Sequence, residues 1–587
     1  MRAASQVGSR SIAPPASRRR RTFGPPRAPP RARPRRKAHD APPIPQARAA
    51  PAVLPRPSAR RPRLARRALA PRAALAPPPP SPAPPAGADA LPVLEAAFAS
   101  PPEDPWNDAR WKGVDWLIYR GVAYDATAFI KHHPAGAWLV RLGVGRDATA
   151  LFESYHLRPE VAAARLARLP TLAGFPVHAV PPSPRPSDSP LYATLRDRVR
   201  AELFAGADGA AAGAHRRGSD GAAVAVVSAA VAAYALFATA PSALTGALLG
   251  LAGAWIGLTV QHCGNHGAMS VSPAVNQILG FGDDLIGGSS LAWQYHHQVS
   301  HHIHCNDHIG VGGSARYAVG ADAEGDEDVF SSFPLLRFDP RQPRAWYHAH
   351  QHVYMWALFP FMQLAFQVGD WQAIVSGKTA GTTMHGATVG QRLLAAAGKL
   401  THYALLLAVP YYTAGTAAAL AGAAAFTAVQ GVVLAATFAV SHNVPEAKPA
   451  LDGTDSTPAH GELVTGLMER DWGVQQVRGG GEGERGCARA RQRAPIRSHP
   501  PFLSSQVTTS ANYGGAVANF MTGGLSLQVE HHLFPAISFM HYPAIAAIVE
   551  DECVKRGIAY ARYSSLVPIL GRFVGYMRDV GRVDQTA

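Results

Sequence analysis

The stretch WQYHHQVSHHIHCN (293–306) places five histidines in fourteen positions. A hydrophobic core has no use for so many imidazoles. A metal does, because a neutral ring can give one nitrogen to the ion and a second N–H to a partner that fixes its orientation. His297, His301 and His302 form H-x3-HH, and a spacing of four puts two rings on one face of an α-helix. Two further clusters follow the same logic. QHCGNHG (261–267) carries His262 and His266, again four apart, and QVEHHLFP (528–535) carries Gln528, His531 and His532 as Q-x2-HH. His442, in FAVSHN, is a single fourth candidate. His296 and His304 are additional: either they orient the ligating rings or they are polar surface.

Eight imidazoles are too many for one structural zinc, which takes four ligands. Imidazole suits iron as well as zinc, and eight would fill two metal sites with positions left for oxygen. Soluble carboxylate di-iron proteins rely on a Glu-x-x-His motif. That motif does not supply these clusters, so the ligation would be by histidine.

Such a centre needs elements that bring distant segments to one place. Residues 221–240 and 242–260 are uncharged runs of 20 and 19 residues divided by Pro241. A bilayer core takes about 20 apolar residues in a helix, so the pair predicts a membrane hairpin. The 41-residue uncharged run 400–440 predicts a second. The shorter, aromatic-rich 353–368, flanked by His352 and Asp370, reads as an interfacial or re-entrant helix. With four crossings, every histidine cluster faces the side occupied by the N-terminal soluble segment. The first two spans contain no His, Asp or Glu, which argues against a metal transporter with ionisable groups at the bilayer midplane.

The net charge of +16 is concentrated at one end of the 587-residue chain. Residues 1–80 carry 20 Lys or Arg against Asp40 alone, a surplus of 19; the remainder has 36 basic and 39 acidic residues, or −3. This excludes a basic nucleic-acid-binding face. The four cysteines are scattered and form no CxxC pair, so no disulfide framework is expected. Residues 1–85 are rich in Arg, Ala, Pro and Ser and lack the apolar core of about 7–15 residues that a secretory signal needs. They read as a disordered organelle transit peptide, assigned to the plastid by what the rest of the chain resembles. The expected order is then a small soluble domain at 95–180, a Pro/Ser-rich linker at 181–215, and a membrane domain at 216–575.

The three boxes, in this order around two hairpins, resemble the membrane-bound fatty acyl desaturases. Gln528 in place of the first histidine of the third box resembles the front-end subgroup. The longer strings QHCGNHG, YHHQVSHHIHCND and QVEHHLFP are similar to the plastid Δ4 acyl-lipid members of green algae, and the resemblance covers residues 95–575. It implies an all-α polytopic membrane domain with about four transmembrane helices as two hairpins. It also implies a histidine-ligated di-iron site of His262, His266, His297, His301, His302, His442, His531 and His532, with Gln528 and His296 as accessory groups. The implied activity is O2-dependent insertion of a front-end, Δ4, double bond into a polyunsaturated acyl chain, sixteen carbons long, on plastid galactolipid. Alternatives are a Δ5, Δ6 or Δ8 enzyme of longer acyl or sphingoid chains in the endoplasmic reticulum, a hydroxylase using the same metals, and a non-catalytic membrane haem or metal protein.

GVAYDATAFIKHHPAG (121–136) and GRDATALFESYH (145–156) resemble the core of an α+β cytochrome b5-like domain. The resemblance implies haem b between His133 and His156, with His132 at the surface. Two axial histidines leave the iron to electron transfer, so electrons would arrive from a plastid or endoplasmic reticulum reductase through this tethered domain. One departure stands out: Ala135 replaces the first glycine of the family's His-Pro-Gly-Gly. If that position requires positive φ, alanine costs about 1 kcal/mol or more.

Two segments interrupt the family-like pattern. The 29 residues Arg478–Gln506 are Gly/Arg-rich, apolar-poor and bounded by repeated Gln-Val; they read as a retained intron. Residues 311–325 read as another insertion. Neither is expected to contribute function.

Overall fold

A computed structural model describes residues 104–205, 213–306, 326, 332–340, 342–379, 381–448, 510–556, 558 and 560–584. The leader at 1–85 and the insertions at 311–325 and 478–506 lie outside the described residues.

The haem-domain segment opens with an antiparallel hairpin, β1 (Trp116–Tyr119) and β2 (Val122–Asp125), paired from Trp116↔Asp125 to Tyr119↔Val122. Its tip is Arg120–Gly121, both with positive φ (49° and 81°), the turn that matches the twist of two-residue hairpins. Short helices Ala137–Arg141, Thr149–Tyr155 and Pro159–Leu166 follow. Leu117, Ala126, Ile130, Val144, Ala148 and Leu166 form their common core. Ala135 is buried but has no positive φ; that conformation belongs to Gly136 (φ 113°), where a Cβ would overlap the Trp138 ring. The family motif needs one glycine at its second position, and this chain keeps it. Ala135 therefore carries no left-handed strain.

The expected linker at 181–215 is largely structured. Pro186 and Ser183 are buried, and the Ser187 N–H donates to Glu153 at 2.7 Å. Pro190–Leu203 is a helix, capped by Ser189. Its apolar stripe, Leu191, Tyr192, Leu195 and Val199, packs with Ile545, Ile548 and Val549 of the helix Tyr542–Arg556. The Pro/Ser composition concealed an i, i+4, i+8 repeat that begins immediately after it.

Four helices among the described residues are long and apolar enough to cross a membrane: Ala214–Thr239, Ala243–Asn265, Val389–Ala414 and Thr416–His442. They form the two hairpins expected. The second and fourth spans meet along a glycine seam. A Cβ on Gly246 would lie 2.1 Å from the Gly422 carbonyl oxygen, and one on Gly250 would lie 2.7 Å from that of Phe426. Small residues allow helices to approach this closely in lipid, where the hydrophobic effect gives no drive for association. The seam brings the ends bearing His262 and His442 together.

Residues 353–368 are not among the four spans. They belong to Gln351–Leu358 and Met362–Ser376, broken at Phe359–Phe361 around Pro360. The break lies against Gly431 in the fourth span. On one flank the Gln351 amide donates to the Met577 carbonyl, and beyond the other Arg146 of the haem-domain segment donates to that of Thr383.

Candidate metal centre

The second span is not α-helical throughout. It widens into a π-helical turn at Gly257–Gln261 and resumes as His262–Asn265. The H-x3-HH stretch is itself π-helical over Gln294–His301. Wide turns of this kind are frequent at functional sites, and here the consequence is specific. The ring facing His297 from the next turn is His302, five residues on, with Nε2 atoms 3.2 Å apart. His301 turns to a different neighbourhood. The rings of His297 and His301 stay neighbours, as expected, with centroids 5.0 Å apart, but their ligating atoms belong to different groups.

All eight histidines converge, seven of them in two groups. Ligating atoms of His262, His266, His297 and His531 lie within 4.8 Å of one another, as do those of His301, Cys305, His442 and His532. His302 lies between the groups: its ring stacks on His532 at 4.6 Å and lies 4.7 Å from that of His266. Nε2 of His262 and of His297 are 3.3 Å apart. Ligands bonded to one ion at about 2 Å fall near such separations.

The outward-facing nitrogens of His266, His531 and His301 are held by partners. His266 Nδ1–H donates to the Tyr155 hydroxyl (2.7 Å), which in turn donates to Gln298 Oε1 (3.2 Å). His531 Nδ1–H donates to the Tyr542 hydroxyl (3.3 Å), which donates to the Phe534 carbonyl (3.4 Å). His301 Nδ1 lies 3.0 Å from both oxygens of buried Asp326. In each case the arrangement leaves Nε2 for a metal. Nε2 of His266 and of His531 is buried without a hydrogen-bond partner, a costly state unless an ion takes the lone pair. Burial, reinforced by the neighbouring rings, holds His266, His302, His531 and His532 well below the ordinary imidazole pKa. Ligation needs these rings neutral. On each count the residues fit two metal ions.

Gln528 sits one helical turn before His532 in Gln528–Leu533. Its amide nitrogen is 2.9 Å from His442 Nε2 and 3.1 Å from His532 Nε2. It thus faces the second group, where an imidazole on the same backbone would have pointed. His296 lies outside both groups, lining a cavity beside His297 with Trp293, Asp283, Asp370, Phe366 and Leu434. Trp293 stacks on the His297 ring at 4.3 Å.

In the haem-domain segment, His133 and His156 face each other with ring centroids 6.1 Å apart. Two rings bonded from opposite sides to one metal, at about 2 Å each, have centroids on the order of 6 Å apart. His133 Nδ1 bonds the Gly136 carbonyl (3.2 Å) and His156 Nδ1 that of Phe152 (2.7 Å), so both Nε2 atoms are free to ligate. Burial and the charge of the other ring lower the His133 pKa to about 4, and burial lowers that of His156. The pair fits a bis-histidine haem, and His132 is exposed as expected.

Residues 237–564 match the family described as Fatty acid desaturase, and residues 111–175 match the Cytochrome b5-like Heme/Steroid binding domain. The chain belongs to the fatty acid desaturases. It is 54% identical to the "Acyl-lipid (7-3)-desaturase, chloroplastic" of Chlamydomonas reinhardtii over 82% of this chain and 84% of the relative. Identity to the "Acyl-lipid (7-3)-desaturase" of Diacronema lutheri is 28% over 80% and 90% of the two chains. Identity to the "Acyl-lipid (8-3)-desaturase" of Physcomitrium patens is 26% over 79% and 88%. The desaturase is a front-end, acyl-lipid enzyme of di-iron type with a fused haem-binding domain. Sequence reasoning missed Tyr542 and three further site residues. Cys305 directly follows the second box, Asp326 opens the acidic DEDVF, and Tyr155 precedes His156. Adjacency to a histidine was the only signal for Cys305 and Tyr155, and Asp326 had no histidine nearby in the sequence.

Proposed function

We propose that the desaturase inserts a double bond at position four of a polyunsaturated sixteen-carbon chain esterified to plastid galactolipid. In this reading the eight histidines hold its two irons, and His133 with His156 holds its haem. The observation that carries the ligand assignment is the convergence of eight buried rings, seven in two groups and His302 between them, with metal-like nitrogen separations. The irons, when bound, supply oxygen activation, so that two hydrogens leave adjacent carbons and O2 is reduced to water with two electrons from the haem.

The protein's part is positioning. Asp326, Tyr155 and Tyr542 fix the rings of His301, His266 and His531. Gln528 faces His442 and His532 at the second group. The cavity beside His297 has an apolar wall of Phe366, Leu434 and Phe438, suited to an acyl chain, and a polar wall that includes Asp283 and Asp370. Lys399 is occupied by Asp370 (2.5 Å) and the Gly287 carbonyl (2.6 Å). A double bond four carbons from the ester brings the head group close to the irons. Carboxyl groups hydrogen-bond sugar hydroxyls and repel phosphate, which favours an uncharged glycosyl head.

Position four follows the (7-3) designation of the relatives, taken as three carbons towards the carboxyl end from carbon seven. The plastid follows the acid-poor leader and the chloroplastic relative, and makes a plastid reductase the electron source. A fluorescent fusion of residues 1–90 tests the location. Galactolipid from a knockout tests the substrate: tetra-unsaturated sixteen-carbon chains should vanish. Their persistence, with loss of a longer product, would assign the enzyme to the endoplasmic reticulum and to longer chains.

A further inference from the structure

The haem-domain segment is not merely tethered to the membrane domain; it is seated on the first histidine box. Tyr155 reaches out of it to His266, and Trp138 Nε1 donates to the Asn265 carbonyl at 3.4 Å. Leu139 lies against Gly267. Tyr155 is also the residue immediately before His156, the haem-facing histidine. The route from His156 to a ring of the metal centre is therefore one peptide bond, one tyrosine side chain and one hydrogen bond of 2.7 Å.

We propose that Tyr155 is the electron link between the haem and the di-iron centre. The inference rests on the reading that His156 and His266 ligate those groups. In each transfer one electron leaves the ferrous haem, which becomes ferric, and one electron arrives at the iron held by His266. Tyr155 couples the two sites without being oxidised, and no proton moves. The Nδ1–H of His266 stays on the ring and the Tyr155 hydroxyl keeps its proton towards Gln298. The reductase then restores the ferrous haem. The same hydrogen bond fixes the His266 tautomer, so Tyr155 is a positioning residue that also carries the coupling.

The test is Tyr155→Phe in the full-length, iron- and haem-loaded desaturase. This variant keeps the ring and its packing but removes the hydroxyl. The haem is reduced with dithionite, excess reductant is removed, and ferrous-haem absorbance is followed after mixing with oxygen and lipid substrate. Iron per chain and the haem potential are measured alongside. The expected result is ferrous-haem decay slowed at least several-fold per bound iron, at unchanged haem potential. A small reduced mediator that reaches the irons directly should restore product formation. Decay at the unmodified rate would overturn the link. So would loss of iron together with failure of the mediator, because Tyr155 would then serve only to build the metal site. Gln298→Leu removes the hydroxyl's other partner and leaves the contact with His266; decay slowed as much as in Tyr155→Phe would also count against the link. Failure of the underlying reading is separate: it shows as an unmodified protein without a bis-histidine haem spectrum or without two irons.

Discussion

The haem pocket and the di-iron centre solve the same problem at different scales. Each must hold neutral imidazoles in fixed tautomers around a metal. In the haem pocket, the carbonyls that fix His133 and His156 lie three and four residues away in sequence. In the metal centre, the partner of His266 lies 111 residues away, that of His301 lies 25, and the Cys305 thiol meets His442 across 137. A small domain completes the first site from local turns. The second exists only after membrane helices have packed and a soluble domain has docked. The haem pocket should therefore fail alone, whereas the metal centre should register damage from anywhere in the scaffold.

The sharpest way to break this comparison is to remove ligands on each side. His262→Ala or His531→Ala should abolish desaturation and lower iron per chain while leaving the haem spectrum intact. His133→Ala or His156→Ala should erase the low-spin haem spectrum and leave iron unchanged. Metal analysis beside visible absorbance reads both, and full iron in His531→Ala would refute the assignment of that ring.

Partners of the ligands come next. Asp326→Asn removes the carboxylate that bonds His301 Nδ1 but keeps the shape. Loss of such a partner costs about 10–100-fold in metal affinity, to be read by iron retention against a chelator. Gln528→Ala removes an amide at hydrogen-bond distance from both His442 and His532. At about 0.5–1.5 kcal/mol for each contact, activity should fall on the order of tenfold, with iron bound more weakly only at the second group. An unchanged chelator profile would make Gln528 a bystander. A smaller effect is expected at the seam: Gly250→Ala forces the second and fourth spans apart at the Phe426 carbonyl. Overpacking of this kind typically costs about 1–3 kcal/mol. The thermal transition of the membrane domain should fall while haem loss on heating keeps its midpoint.

Much of this was legible in the sequence, and the reason is chemical. Histidine clusters beside uncharged runs serve little besides metal binding, so the eight rings and the four spans stand out. What stayed hidden depends on backbone geometry or on partners that resemble ordinary residues. Nothing in WQYHHQVSHH announces a π-helix, yet the wide turn sends His297 and His301 to different groups. Tyr155, Cys305 and Asp326 are common residue types whose roles appear only when another segment arrives. The glycines of the second span look like generic small residues until Gly422 is set against them. Ala135 is the reverse case: a family pattern suggested strain at a position whose backbone is ordinary.

The smallest effect is expected from the longest change. Arg478–Gln506 separates the fourth span, which ends at His442, from the third box at Gln528. Its composition cannot supply an apolar face, and its flanking Gln-Val repeats allow Val477 to lead directly into Thr508 once residues 478–507 are removed. The entropic cost of closing a connection changes by only about 0.6 kcal/mol for each doubling of its length. Shortening this one should therefore leave the second metal group as well formed as before, or slightly better. The deleted chain should match or exceed the full chain in desaturation and in iron content. A fall in iron with haem retained would show that the segment helps to hold the metal centre, and transcripts that always include it would remove the intron reading.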